Sequence, residues 1–329
     1  MKKLFLLFAL LVAVSYSGNA QATQVATLSH DGSITPYTTA HALRDAYEAA
    51  VDGDVITLSS GSFTAVNFEK VITVRGAGMG VKVNDTDPYI EPTFLVGSFE
   101  INADGNENHS FKLEGVLCEE SVRLGGVNNA QFSKCKFLQL GYNLGKGGFE
   151  NVTFINCVLS GHTCFNSNMN LYGCCLRDVY FSRNGSHYNL TNCIIESKNN
   201  FEDASCVVKN SIFVNSSDYE YQTNNGSAFY SIWKGKIYEH PGNPFYADLE
   251  AHNNSLVPAE MQIFKEGTFY QLTDEAKQYV GDDGKEVGLY GGSLPFDPTP
   301  TNPQITKFNV APKTTADGKL SVDIEVTAK

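Results

Sequence analysis

Leu113-Glu-Gly-Val-Leu-Cys118, Phe132-Ser-Lys-Cys-Lys-Phe137, Phe154-Ile-Asn-Cys-Val-Leu159, Leu171-Tyr-Gly-Cys-Cys-Leu176, Leu190-Thr-Asn-Cys-Ile-Ile195, Val208-Lys-Asn-Ser-Ile-Phe213 and Ala228-Phe-Tyr-Ser-Ile-Trp233 align as copies of one six-residue window. Their first residues are 19, 22, 17, 19, 18 and 20 positions apart. The shared pattern is apolar, variable, Asn or Gly, small, variable, apolar. This period is too short for a pair of helices and suits one turn of a β-solenoid.

In a solenoid, equivalent residues of successive turns stack about 4.8 Å apart, the spacing of paired strands. The fourth position becomes a file of small groups: Val116, Cys135, Cys157, Cys174, Cys193, Ser211 and Ser231. The sixth becomes a file of bulky apolar groups: Phe137, Leu159, Leu176, Ile195, Phe213 and Trp233. The third places Asn156, Asn192 and Asn210 at one corner, where Asn tolerates left-handed backbone. Stacked amides there are expected to bond to one another between turns.

The register changes the meaning of the eight cysteines. In an exported chain they suggest disulfides. Here most fall on the interior file, and free Cys is among the most buried residue types. Cys164, Cys175 and Cys206 lie off that file and are the better disulfide or free-thiol candidates. Cys174 and Cys175 should point to opposite faces of one strand.

Outward from the repeat, the chain begins with Lys2 and Lys3, an apolar stretch from Leu4 to Val14, and Ala20-Gln21-Ala22. This reads as a secretory signal over residues 1–22, too short to span a membrane. No later segment is long and apolar enough to span one, and an exported, extracellular, surface or periplasmic chain is expected. With 36 acidic and 24 basic residues, the formal net charge is −12, which argues against nucleic acid as a partner. It also opposes a long acidic polysaccharide, unless a local basic groove or a cation offsets the field. Residues 38–51 read as an amphipathic helix with Leu43, Ala46, Tyr47 and Ala50 on one face. It is placed to cover the open end of the solenoid. Strands are expected at Val55–Leu58 and Val71–Val74, with a longer loop over 84–110. After Gly292, five prolines to Pro312 mark residues 294–303 as a stiff linker. Alternation in 304–329 around Asp317-Gly318 predicts a β-hairpin tail.

The stretch Ala42-Leu-Arg-Asp-Ala-Tyr-Glu-Ala-Ala-Val-Asp-Gly-Asp-Val-Ile-Thr-Leu-Ser-Ser-Gly-Ser-Phe63 resembles the opening of secreted proteins of the pectin-lyase-like right-handed parallel β-helix superfamily. Asp283-Gly-Lys-Glu-Val-Gly-Leu-Tyr-Gly291 resembles their closing segment. The resemblance covers about residues 37–293 and suggests a bacterial, Bacteroides-type member. It implies an all-β, right-handed, single-stranded parallel β-helix over 23–293. It does not imply an activity, because the superfamily holds lyases, hydrolases, adhesins and proteins without known chemistry.

Lyases of that superfamily need a strong base and cation neutralisation of a uronate, and the hydrolases need converging carboxylates. No file carries three carboxylates. Arg177 and Glu196 lie one turn apart, and with Asp178, Arg183 and His187 they are the candidate catalytic site. No metal site or cofactor is expected: no HxxH pair occurs, and Asp282-Asp283-Gly-Lys-Glu286 lacks the spacing of an EF-hand loop. Ca²⁺ enters only if the chain is a lyase. Tyr142, Tyr180, Tyr188, Tyr219 and Tyr221 lie outside the windows and are candidates for stacking on sugar rings. Two readings remain open. One is a glycan-binding or structural, adhesive β-helix. The other is a polysaccharide lyase or glycoside hydrolase acting on an acidic polysaccharide.

Overall fold

The computed structural model describes residues 24–106, 108–142, 149–161, 167–179, 186–196, 201–216, 223–235, 237, 244–302, 304–310, 318–319 and 322–327. The signal segment 1–22, His162, Cys164, Tyr180, Arg183, Tyr219 and Tyr221 lie outside the described residues.

The chain winds into a parallel β-solenoid of about eight turns, with two broad sheets running along its axis. The first two residues of each window are the last two of a strand of the first sheet, and the window's last two lie on the second. The expected register holds through the repeat. Phe132 pairs with Phe154, then Phe154 with Leu171, Leu171 with Leu190, Leu190 with Val208 and Val208 with Ala228. On the second sheet Phe137, Leu159, Leu176, Ile195, Phe213 and Trp233 pair in the same order. These side chains fill the interior, and Phe213 stacks on Trp233 with ring centroids 3.5 Å apart.

The corner between the sheets explains the third position. Gly115, Lys134, Asn156, Gly173, Asn192, Asn210 and Tyr230 all have positive φ, between 50° and 64°. Only Gly is unstrained there, Asn is tolerated, and Lys134 and Tyr230 are held against their preference. Just inside the corner, each thiol of the small file reaches a main-chain carbonyl of the preceding turn. Cys157 Sγ donates to Phe132 O at 3.5 Å, and Cys174 Sγ donates to Phe154 O at the same distance. Where serine replaces cysteine, the hydroxyl donates to its own turn, Ser211 Oγ to Lys209 O at 2.8 Å and Ser231 Oγ to Phe229 O at 3.0 Å, and accepts from the preceding one. Ser211 Oγ takes Cys193 N at 3.0 Å and Ser231 Oγ takes Ser211 N at 3.2 Å. The seven described cysteines are free and buried, and Cys206 belongs to the interior rather than to a disulfide.

Helix α1 (Ala42–Ala49) lies within the expected span and buries Leu43 and Ala46 against the first turns. Lys70 caps its C-terminal end, donating from Nζ to Tyr47 O at 2.6 Å and Ala50 O at 2.7 Å. A cation there meets the last carbonyls and the negative end of the helix dipole. The other end is closed by α2 (Pro244–Ala251), whose Phe245 packs on Trp233 at 5.4 Å.

Three expectations are corrected. The 84–110 loop contains strands Thr93–Val96 and Phe99–Ile101, because Phe94 and Glu100 alternate with buried Leu95, Phe99 and Ile101 across a sheet. The early strand is Thr73–Arg75, two residues later than expected at its start. The corner asparagines do not form an amide ladder; they bond to the C-terminal chain.

That chain, residues 258–302, folds back over the second sheet. The fifth window position, which reads as variable in sequence, forms an outward row: Val158, Cys175, Ile194, Ile212 and Ile232. All five are buried beneath Ile263, Leu272, Ala276, Val287, Leu289 and Phe296 in a second apolar core. Along the corner the strap descends the turns in order. Asn210 Nδ2 donates to Asp282 Oδ1 at 2.8 Å. Asn192 Nδ2 donates to Gly288 O and Asn156 Nδ2 to Pro295 O, both at 3.1 Å. Lys134 Nζ donates to Thr299 O. Thr301 Oγ1 donates to Glu114 Oε2 at 2.8 Å, and Asn302 Nδ2 to Gly76 O at 2.9 Å. Residues 294–302 are thus docked on the solenoid turn by turn. Beyond them Gln304–Val310 and Val322–Thr327 pair antiparallel, as the alternation predicts.

Candidate functional site

The two broad faces differ in what covers them, and the sequence-predicted site residues divide between them. Arg177 ends strand Cys175–Arg177 of the second sheet, and Glu196 follows Ile194–Ile195 one turn on. Parallel pairing of these strands places their side chains side by side on the outer face. Arg177 Nε lies 3.0 Å from Glu196 Oε2. Tyr270, from the strap, completes the group. Its hydroxyl donates to Glu196 and accepts from Arg177 NH2 at 2.9 Å, with the guanidinium 5.9 Å from the ring centre. Burial pushes the Glu196 carboxyl above its usual range, Asp178 adds to that rise, and Arg177 opposes it. Asp178 is exposed, in a left-handed turn.

His187 is not part of this group. It stands exposed on the first sheet, pairing in register with Asn168 and Ser205. The structure therefore joins Arg177 to Glu196, with Asp178 close in charge, and sets His187 on another face. The cluster pins the strap to the sheet: its guanidinium and carboxylate are engaged with each other and with Tyr270. Lys136, one residue that sequence reasoning missed, belongs to the same row as Val158 and Cys175. Burial, with Arg177 adding to it, lowers its ammonium from the usual lysine value. Beneath the strap, burial pushes the Cys175 thiol up to about 12, with Arg177 opposing.

Among the described residues, no such strap lies over the outer face of the first sheet. The residue just before each window forms its central row: Lys112, Gln131, Thr153, Asn170, Asn189, Val207 and Ser227. Four consecutive members carry neutral amides or a hydroxyl. Asn189 Nδ2 donates to Asn170 Oδ1 at 3.0 Å, so this row contains an amide contact between turns. Extending each window by one residue toward the N-terminus would have revealed the row. Tyr188 is a correction: strand alternation turns it inward, where it is almost fully buried, so it offers no ring to a sugar.

Among the described residues, no three His, Cys, Asp or Glu side chains group as metal ligands, and no helix is long and apolar enough to cross a membrane. Comparison with protein-family models, curated proteins and solved structures finds no match to this chain.

Proposed function

We propose that this protein is an exported β-helix of the pectin-lyase-like kind that binds glycan on the open face of its first sheet. One observation carries the reading: Gln131, Thr153, Asn170 and Asn189 form a neutral polar row at strand spacing on a face over which no described segment packs. Each sugar hydroxyl both donates and accepts a hydrogen bond, and amide and hydroxyl side chains offer both roles without charge. Regular repetition suits a repeating polymer, as concave solenoid surfaces suit extended partners.

The rival, a lyase or hydrolase working through Arg177 and Glu196, draws support from their 3.0 Å approach. A base must be free to take a proton, however, and this guanidinium is bound to a carboxylate and a phenol.

The test is binding of the purified protein to a panel of neutral and acidic glycans, followed by assay of the products. Wild type should bind, and Asn170→Ala/Asn189→Ala should bind at least about tenfold more weakly. Absence of binding to every glycan contradicts the reading. An ultraviolet-absorbing unsaturated product, lost in Arg177→Ala, favours the rival.

A further inference from the structure

At the entry edge of the first sheet lies a polar groove of about 220 Å³, lined by Asn106, Ser110, Asn129, Gln131, Asn151 and Thr153 around Ala130. It is smaller than pockets that enclose drug-sized ligands, so it suits one ring rather than a whole chain. Two of its amides are fixed in place. Asn129 and Asn151 sit one turn apart in left-handed backbone, with φ of 51° and 55°. Asn151 Nδ2 donates to Asn129 Oδ1 at 2.7 Å, and Asn129 Nδ2 donates to Gly105 O at 3.1 Å. This relay settles which end of each amide is which. Asn151 keeps its oxygen as an acceptor. Asn106 uses its oxygen on the main-chain N–H groups of Asn108 and His109, which leaves its NH₂ as a donor. Ser110, Gln131 and Thr153 add two hydroxyls and a complete amide.

Every polar group of this lining is uncharged. Among the described residues, the nearby charges stand at its edge: Lys112 beside Gln131, the exposed Glu150, and Asp104, which accepts from Asn128 Nδ2 at 2.8 Å. A carboxylate brought into the groove would lose water without gaining a cation from the lining, which is costly. Vicinal hydroxyls would meet donors and acceptors already oriented, and orientation fixed beforehand saves ordering cost on binding.

We infer that this groove is a subsite for a single neutral pyranose or furanose ring, and that it discriminates against uronic acids. The inference rests on the glycan-binding reading above and narrows it to a sugar class and an anchoring position. Asn170 and Asn189 then extend contact along the polymer.

Calorimetry with neutral gluco-, manno-, galacto- and xylo-oligosaccharides, and with oligogalacturonate of equal length, tests it. At least one neutral series should bind about tenfold or more tightly than oligogalacturonate. Gln131→Ala and Thr153→Val, whose half-buried side chains lie on the outer face of the sheet, should each weaken that binding about tenfold with a nearly unchanged melting temperature. If both bind as wild type while Asn170→Ala/Asn189→Ala does not, the subsite is wrong and the sheet-face reading survives. Tighter oligogalacturonate binding overturns the sugar class. If no oligosaccharide binds, both proposals fall.

Discussion

The two outer faces of this solenoid are built by the same repeat and end in opposite states. On the second sheet, five successive outward positions are apolar, from Val158 to Ile232, and 45 residues of chain, 258–302, return to bury them. On the first sheet, the equivalent row runs Gln131, Thr153, Asn170 and Asn189; the first three are half-buried, Asn189 is exposed, and no described segment packs over them. A solenoid needs apolar groups only inside. An outward apolar row therefore signals a cover, and an outward neutral polar row leaves a surface for a partner.

The largest effects should come from the covered face. Ile212→Ala removes a buried side chain beneath the strap and should cost about 2–5 kcal/mol in urea unfolding. Asn189→Ala, on the open face, should stay within about 0.5 kcal/mol. Similar costs at both positions would break the contrast.

The corner comes next. Asn192 holds a left-handed φ and also donates to Gly288 O. Asn192→Ala loses both and should cost about 2–3 kcal/mol, whereas Asn192→Gly keeps the backbone and should cost about 1 kcal/mol. Equal losses would mean that the strap bond alone matters.

The pin is weaker. Tyr270→Phe removes the hydroxyl that joins Arg177 and Glu196, and about 1 kcal/mol should be lost. Cys175 should then react faster with a thiol reagent than in wild type, while the interior thiols should not. A small pH effect accompanies it. The Glu196 carboxyl is raised in the folded state, chiefly by burial. Its contribution is fully present below the ordinary glutamate value and is lost as pH rises through the folded value. Glu196→Gln should therefore gain on wild type as pH rises through that window. A stability difference that does not change with pH would contradict this origin.

The fold was legible because its cause is local. Asn or Gly at the corner, a small group inside and a bulky group two positions on are each dictated by φ or by volume, and their recurrence gives the register without any long-range information. The strap was not legible. Its bonds join residues as distant as Asn156 and Pro295, and the prolines of 294–303 read as a stiff linker. One sign was present: the fifth window position is apolar in five consecutive turns. Of the candidate site, the Arg177–Glu196 contact followed from the period. Tyr270 came from a segment without periodicity, and His187 was misplaced because nearness in sequence does not separate the two faces. The position before each window held the open row in plain view.

Backbone amide hydrogen exchange with and without the tightest-binding oligosaccharide tests the contrast most directly. Exchange should slow in Gln131–Ser133, Ser167–Tyr172 and His187–Thr191 of the first sheet, with Cys175–Arg177 and Ile194–Ile195 unchanged. Protection confined to the Arg177 and Glu196 strands would contradict it and place the working surface on the covered face.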